Sequence, residues 1–368
     1  MFSCSTNSPT NEFSNLLPAF VQDSFYLNPQ NIFSNEKAAL GRYLFYDRRL
    51  SVNNTKSCAS CHAQEFSFTD GYNRSIGALG DLHQRNAKPL FNIVFEKYLT
   101  AADSSIHFPE EQINRPMFNE HPVEMGISGN EEVVLLRIKS DNYYRKQFEI
   151  FFIEDKNPVN LKNIQSCITS FVKTILSFSS RYDNYFFRRD TLALSKSQLN
   201  GMNLFFSTNL HCSACHGGIN FSNPFIKNIK GLPEFYFNTG LYNLDNRGDY
   251  PAFDRGLANV TKNPADIGKY KVPTLRNLAF TAPYFHDGSA ATLDEVIRFY
   301  EQGGRTILSG SYKGDGRNNP NKHPFIKEFK LNSQERKDLI DFLMSLTDSS
   351  VLINPLYANP FSDDETKK

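Results

Sequence analysis

Residues 58–62 read C-A-S-C-H, and this pentapeptide decides the architecture of the chain. The pattern C-x-x-C-H is the attachment signature of a c-type haem. Two thiols form thioethers with the porphyrin, and the His that follows supplies an axial ligand to the iron. Residues 212–216 repeat the pattern as C-S-A-C-H, so the sequence predicts two covalent haem c groups. Their attachment residues are Cys58, Cys61, Cys212 and Cys215, and their iron ligands are His62 and His216.

Zinc binding and thiol redox chemistry are the alternatives for a C-x-x-C pair. One pair alone is a zinc half-site or a redox dithiol, and two pairs together can form a four-cysteine zinc site. In such a site roughly 12 to 20 residues separate the two pairs. Here the separation is far longer, and a His directly follows each pair, which zinc does not require. Both observations favour haem.

Length and composition narrow the function classes. A chain of 368 residues suits two domains of ordinary size, one for each motif. The 40 Lys and Arg residues nearly balance the 39 Asp and Glu residues, so the chain lacks the basic field that nucleic-acid binding requires. The 33 Phe and 17 Tyr residues suit walls that enclose two large apolar macrocycles.

Two cysteines lie outside the haem motifs. Cys167 falls on the apolar stripe of a predicted helix, so we expect a buried and inert thiol. Cys4 precedes a polar segment, as a lipidated bacterial Cys does, which makes it a candidate lipid anchor. Haem c is attached outside the cytoplasm, so we expect a periplasmic protein, or one anchored to the outer membrane and facing the periplasm, although this sequence shows no export signal.

The pattern of apolar residues predicts a mainly α-helical fold with two cytochrome c-like haem domains and long irregular loops. Capping boxes at residues 195–198 and 292–295 mark the starts of two helices. The predicted helices span residues 35–45, 131–138, 161–178, 195–206, 292–300 and 333–346. The predicted divisions are a polar arm with little structure over 1–35, haem domains over 36–187 and 188–350, and a tail over 351–368.

Several motifs together resemble the bacterial di-haem cytochrome c peroxidase and MauG superfamily. They are LGRYLFYD at 40–47, FTDG at 68–71, SIG at 75–77, RNA at 85–87, VPTLRN at 272–277 and TAPYFHDGS at 281–289. Residues 238–243, NTGLYN, resemble the subgroup that contains the MauG-like enzyme MbnH. The resemblance extends from about residue 40 to residue 348.

The resemblance implies which residues lie on the far side of each iron. Peroxidases of this superfamily place a His where this chain has Ala78, and a methyl group cannot ligate iron, so we expect the His62 haem to be open. His83 is a rival ligand for that position. For the His216 haem the matching position is Tyr300, whose phenolate favours ferric iron; the alternative is a core aromatic on an amphipathic helix.

The resemblance also implies a catalytic pocket and a cation site. Glu124 matches the carboxylate that assists peroxide cleavage, and Gln112 and Pro116 match the other pocket residues; the alternative for Glu124 is a solvated loop carboxylate. A calcium ion between the haems is implied, because oxygen donors suit a hard cation. Its matching ligands are Asn86, Thr281 and Pro283.

One departure from the superfamily concerns electron transfer between the haems. Its members usually have a Trp there, whereas this chain contains no Trp and has Ala101 at the matching position. Transfer would then use Tyr98, a Phe or direct tunnelling. The missing Trp therefore disfavours the high-valent state that two haems share in MauG.

The leading functional hypothesis is a di-haem peroxidase that reduces hydrogen peroxide with electrons from a small c-type cytochrome or a cupredoxin. A second hypothesis is MauG-like or MbnH-like oxidation of an amino-acid side chain in a partner protein. Ala78 and Tyr300 favour it, and the missing Trp weakens it. A third is an electron carrier or haem-based sensor with both irons closed.

Overall fold

A computed structural model describes residues 9–21, 25–227 and 234–361, and Cys4 lies outside them. This part of the chain is mainly helical, as predicted, and none of its helices has the length and apolar character that crossing a bilayer requires. The helices are α1 (Pro9–Ser14), α2 (Asn35–Tyr46), α3 (Pro109–Gln112), α4 (Asn114–Phe118), α5 (Glu131–Ser140), α6 (Asn142–Phe151), α7 (Leu161–Lys173), α8 (Arg181–Phe186), α9 (Lys196–Phe205), α10 (Cys212–Cys215), α11 (Ala258–Thr261), α12 (Leu293–Glu301), α13 (Ser333–Ser345) and α14 (Ser350–Ile353).

The described β-structure is limited to two short antiparallel ribbons. In the first, β1 (Tyr236–Phe237) pairs with β2 (Tyr270–Lys271), and in the second, β3 (Thr306–Ile307) pairs with β4 (Gly314–Asp315). The first ribbon joins Tyr236–Phe237, which lie within the irregular segment 221–269, to Tyr270–Lys271, which directly follow that segment. That segment is mostly loop, as its Asn, Asp, Gly and Pro content predicts.

Helix α2 leads into the first haem motif and crosses α7 at very short range. The Ser34 hydroxyl caps α2 by accepting a hydrogen bond from the Lys37 amide. A Cβ atom on Gly41 would lie 1.9 Å from the carbonyl oxygen of Cys167, so only glycine permits this crossing. Cys167 itself is fully buried, as predicted. The crossing fixes the direction in which the chain approaches residue 58.

The second haem motif is approached in the same way. Helix α9 begins with the predicted Ser195 and Gln198 capping box and crosses α13. A Cβ atom on Gly201 would lie 1.9 Å from the carbonyl oxygen of Asp338. The same helix crossing, with a glycine at the contact, therefore precedes both C-x-x-C-H motifs.

The polar arm before residue 35 is more ordered than its composition predicts. It contains α1 and a 3₁₀ turn at Ala19–Val21. Phe13 is fully buried and packs in one apolar cluster with Val21, Phe95 and Phe178. A few apolar residues among many polar ones thus anchor the described part of this arm to the rest of the protein.

Helix α7 ends at Lys173, five residues before the predicted end. Beyond it the Asn92 side chain takes over the backbone hydrogen bonds of Ser177: its oxygen accepts from the amide at 2.8 Å and its nitrogen donates to the carbonyl at 2.9 Å. This bidentate contact holds the chain extended, and residue 92 is too distant in sequence for a periodic pattern to reveal it. Helix α6 was also not predicted, because only Tyr144 and Phe148 on it are buried.

A buried polar network joins the two parts of the chain that carry the haem motifs. The Arg276 guanidinium donates two hydrogen bonds to Asp183, at 2.9 and 2.8 Å, and both side chains are fully buried. The Asn277 amide donates to the hydroxyls of Ser67 and Ser177 at 3.0 Å. Ser67 lies just after the first motif, so the network links that motif directly to residues near the second.

Replacing Gly41 with Ala tests the helix crossing. Alanine is the better helix former by about 1 kcal/mol, but its methyl group would overlap the Cys167 carbonyl. We expect the free energy of unfolding to fall by about 1–3 kcal/mol, the usual cost of overpacking, measured by denaturant titration followed by circular dichroism.

Glu36→Ala on the same helix is the matched control, because Glu36 is exposed and is not among the atoms nearest the Gly41 contact. A Gly41→Ala protein as stable as the control would show that the helices separate without cost.

Candidate active site

Both haem motifs line one continuous cavity of about 760 Å³. This volume lies in the upper part of the usual range for ligand pockets. All four motif cysteines and both motif histidines contribute to its wall, together with apolar residues from both halves of the chain. Its apolar wall includes Phe45, Leu90, Phe91, Val172, Phe205, Leu278, Ile297 and Leu343.

The two motif histidines are held in the same orientation. The ring Nδ1 of His62 lies 2.9 Å from the carbonyl oxygen of Phe68, and Nδ1 of His216 lies 3.0 Å from that of Phe221. A carbonyl only accepts, so Nδ1 carries the proton and Nε2 keeps its lone pair. Burial lowers the pKa of both rings, that of His216 to about 4, so both stay neutral. A neutral imidazole with a free Nε2 is a metal ligand.

These residues fit a covalent haem at each motif. Each motif offers two thiols and one oriented imidazole on an apolar wall, which is the complete donor set for haem c. Burial raises the pKa of the Cys58 thiol to about 12 and that of Cys61 to about 11. Two buried polar atoms on the wall, Gln112 Oε1 and His83 Nε2, have no hydrogen-bond partner among the described residues. Such atoms mark a place where a bound group completes the site.

Glu124 lies on the same wall as Gln112 and Pro116. Burial raises the pKa of the Glu124 carboxyl to about 7, while a hydrogen bond from Asn119 and the charge of Arg115 oppose the shift. The carboxyl therefore changes protonation near neutral pH, which a solvated loop carboxylate would not do. The structure brings together the three predicted pocket residues.

The backbone around Glu124 is fixed by the loop over residues 75–83. The amide of Ala78 donates to the Glu124 carbonyl at 2.7 Å, and the Asp81 carboxylate accepts from the Val123 amide at 2.8 Å. A Cβ atom on Gly77 would lie 1.8 Å from the Val123 carbonyl oxygen, so the two segments are in direct contact. Ala78 is buried in this contact and is not among the described residues that line the cavity.

Tyr300 lies on the cavity wall beside the second motif. It is carried by α12, whose predicted Thr292 and Glu295 capping box is present and whose Leu293 and Ile297 are buried. Burial, and then the nearby Cys215 and Cys212 thiols, raise the pKa of the Tyr300 phenol. The structure thus brings Tyr300 to the end of the cavity that contains the second C-x-x-C-H motif.

Two of the three residues expected to bind calcium are in direct contact. The Asn86 amide nitrogen donates to the Pro283 carbonyl at 3.2 Å, and the backbone amide of Asn86 donates to the His286 carbonyl at 2.8 Å. Thr281 lies on the same cavity wall. Within the described ranges, no group of three or more His, Cys, Asp or Glu side chains is arranged to hold a metal ion.

Three charged residues whose place in the site the sequence did not reveal also line the cavity: Glu96, Lys88 and Lys271. Glu96 forms a buried ion pair with Lys271, and Lys88 lies beside this pair with its ammonium 2.9 Å from the Leu99 carbonyl. The only sequence signal was that Lys88 and Lys271 adjoin two recognised motifs.

Ala101, which occupies the position where the superfamily usually has Trp, also lies on the cavity wall. The carbonyl of Ala101 accepts a hydrogen bond from the Lys271 amide at 2.8 Å. Tyr98 packs against Phe235 and is not among the described wall residues. Instead, Tyr270 and His286 stack on the wall with ring centroids 3.6 Å apart.

Comparison with known proteins gives consistent matches over most of the chain. The family model described as "Di-haem cytochrome c peroxidase" matches residues 35–191. The chain is 33% identical over 345 residues to cytochrome-c peroxidase IdrP1 of Pseudomonas sp. (strain SCT), covering 89% of this chain and 84% of that protein. It is 27% identical over 319 residues to methylamine utilization protein MauG of Methylorubrum extorquens, covering 86% and 79%.

A solved structure extends the similarity to the fold. The crystal structure of a MauG-like protein associated with microbial copper homeostasis aligns with a TM-score of 0.89 and 40% sequence identity, covering 94% of this chain and 99% of the other. Sequence and fold similarity therefore cover both haem motifs. The chain belongs to the di-haem cytochrome c peroxidase family, whose members carry two haem c groups.

Proposed function

We propose that this protein is a peroxidase that reduces hydrogen peroxide with electrons from a small redox protein. One hydrogen peroxide, two electrons and two protons give two waters. The observation that carries the proposal is the placement of Glu124, whose carboxyl has a pKa of about 7, on the wall of a cavity that also receives His62. The names of the cytochrome c peroxidases that match the chain support the same reaction.

Each half of the chain would hold one haem. Cys58, Cys61 and His62 would hold the first, and Cys212, Cys215, His216 and Tyr300 would hold the second. A bound haem supplies an iron that accepts electrons from the donor and reduces peroxide. This assignment makes residues 36–187 and 188–350 two cytochrome c-like domains, and the repeated helix crossing supports that division.

Glu124 would move the proton that peroxide cleavage requires. Its carboxylate takes the proton from one peroxide oxygen and returns it to the other, so that the leaving oxygen departs as water. The unpartnered Oε1 of Gln112 is an acceptor that would orient the peroxide O–H. Pro116 would close the wall beside them with a side chain that offers no competing hydrogen bond.

A calcium ion would bind between the haems at Asn86, Thr281 and Pro283. Asn86 Nδ2 now donates to the Pro283 carbonyl, so the ion would require the amide to rotate and present Oδ1. Two backbone carbonyls would then contribute the other protein oxygens, with water completing the shell.

The protein would act in the periplasm, where c-type haem is attached, and Cys4 would carry a lipid anchor to the outer membrane. A small c-type cytochrome or a cupredoxin would supply the electrons. Nearly balanced charge leaves no role for nucleic acid.

The second candidate is oxidation of an amino-acid side chain in a partner protein. The similarity to the MauG-like crystal structure, at 40% identity and a TM-score of 0.89, favours it. In this reaction two electrons come from the partner's side chain, with the loss of two protons, and peroxide again becomes two waters. The same Glu124 chemistry serves both candidates.

Steady-state turnover separates the candidates. With hydrogen peroxide and an excess of reduced c-type cytochrome or cupredoxin, we expect sustained donor oxidation, two electrons for each peroxide, measured by absorbance. The ferric spectrum should contain a high-spin component. Peroxide reduction without turnover of any small donor would favour a protein substrate, and two low-spin haems that ignore peroxide would leave only an electron carrier.

Glu124→Gln tests the proposed proton transfer. Without a carboxylate, we expect the rate constant for the reaction of the ferric protein with peroxide to fall by about 100-fold to 10,000-fold, as for other lost acid–base groups. In the wild type this rate should fall as pH drops through about 7, where Glu124 becomes protonated, and the variant should lack that step. Stopped-flow absorbance measures both effects.

Glu120→Gln is the matched control, because Glu120 lies on the same segment but is exposed and bonded to Ser128. Equal rates for the Glu124→Gln variant and the wild type, with haem content unchanged, would remove Glu124 from the mechanism.

Tyr300→Phe tests the phenol as a ligand. Loss of a hard anionic donor should raise the reduction potential of one haem and change its ferric electron paramagnetic resonance signal, while the other haem keeps its signal. Tyr312→Phe, which removes a phenol from a partly exposed ring away from the cavity wall, should change neither. Identical spectra for the two variants would make Tyr300 a packing residue.

A further inference from the structure

We propose that His83 is the proton partner of Glu124, an inference that rests on the function proposed above. The His83 Nε2 lies 3.8 Å from Glu124 Oε2, and the side chains are 18% and 22% exposed. Nε2 is buried and has no hydrogen-bond partner among the described residues. An unpartnered ring nitrogen next to a buried carboxyl that forms no close ion pair is an arrangement suited to passing a proton.

The distance between the two side chains is set by the backbone. The His83 amide donates to the Ser75 carbonyl at 2.9 Å, and Ile76 pairs with Leu82, so residues 75–83 form a closed hairpin-like loop. The same loop is bonded to Glu124 through the Ala78 amide. Because one loop carries His83 and fixes Glu124, the two side chains stay together when the chain moves.

Among the described residues, Glu124 accepts a hydrogen bond from Asn119 but forms no ion pair with Lys or Arg within 4 Å. Arg115 and Asn119 face Glu124. The titratable groups that face His83 are His62, Asp70, Lys56 and Asp81. Asp70 is occupied by the Ser75 hydroxyl and the Tyr72 amide, and Asp81 by the Val123 amide. The Asp70 and Asp81 carboxylates are thus occupied by other donors, and Glu124 is the carboxylate that lies within 4 Å of the unpartnered His83 nitrogen.

The proposed step supplies a proton that Glu124 alone does not provide. Glu124 only transfers the proton already on the peroxide, so the second water needs two protons from outside, together with two electrons from the donor protein. His83 imidazolium gives a proton to the Glu124 carboxylate: the Nε2–H bond breaks and an Oε2–H bond forms. Glu124 then gives this proton to the oxygen that becomes the second water, and hydronium from solvent returns a proton to His83. Two such transfers, with the two electrons from the donor protein, complete the second water. His83 thus acts through Glu124 and is a positioning and proton-holding residue.

His83→Gln tests the proposal with four readouts. The steady-state rate of donor oxidation at saturating peroxide, which includes formation of the second water, should fall about 10-fold or more, within the range for lost acid–base partners. Its pH profile should lose one of two ionisations. The ferric high-spin component should be unchanged, because His83 is not an iron ligand in this assignment. The pH at which the Glu124 carboxyl band appears in infrared difference spectra should shift, because the group that exchanges a proton with this carboxyl is gone.

A double variant separates shared from independent roles. Groups that act as one unit are not additive, so His83→Gln with Glu124→Gln should react no more slowly than Glu124→Gln alone. His107→Gln is the control, because His107 bonds the Lys97 carbonyl and is not among the described cavity residues.

Three results would overturn the proposal. They are an unshifted Glu124 infrared band in His83→Gln, fully additive losses in the double variant, and conversion of a low-spin haem to high spin when His83 is removed. The last would make His83 an axial ligand. A wild type that fails to react with peroxide would contradict the proposed function instead, and the infrared band would still decide whether His83 and Glu124 exchange a proton.

Discussion

The hydrogen bond from each motif imidazole to a backbone carbonyl is the contact on which the site depends. It decides which nitrogen carries the proton, and so which one faces the cavity with a lone pair. Phe68 and Phe221, which supply the two carbonyls, both have positive φ, 62° and 51°, so the same unusual backbone turn directs the acceptor in each case. Without that turn the ring could rotate, and the motif would keep its cysteines but lose a defined ligand.

Two buried polar regions of the protein have opposite consequences. Near Arg276 and Asp183, which lie outside the described cavity wall, full burial is matched by bidentate pairing, and the network holds the halves together. Near Glu124 the carboxyl is buried with weaker compensation, so desolvation exceeds the favourable contacts and the pKa rises to about 7. Incomplete pairing makes Glu124 suited to proton transfer, whereas complete pairing makes Asp183 structural.

Local signals in the sequence predicted much of the fold and of the site. The C-x-x-C-H motifs, the capping boxes at Ser195 and Thr292 and the apolar spacing before Tyr300 involve residues within a few positions of each other. Features that depend on distant contacts were not predicted. Asn92 bonds the backbone of Ser177, 85 positions away, and the ion pair of Glu96 with Lys271 joins residues 175 positions apart. The family resemblance supplied Glu124, but neither motif nor periodicity indicated that His83 lies beside it.

The glycines Gly41 and Gly201 impose the same steric limit on both halves of the chain. Each lies on the helix before a haem motif, at the same kind of crossing, with the same distance of 1.9 Å between a hypothetical Cβ and a carbonyl oxygen. Any side chain at either position would push the two helices apart and shift the start of the following C-x-x-C-H motif. The position of each motif therefore depends on the absence of a side chain one helix earlier.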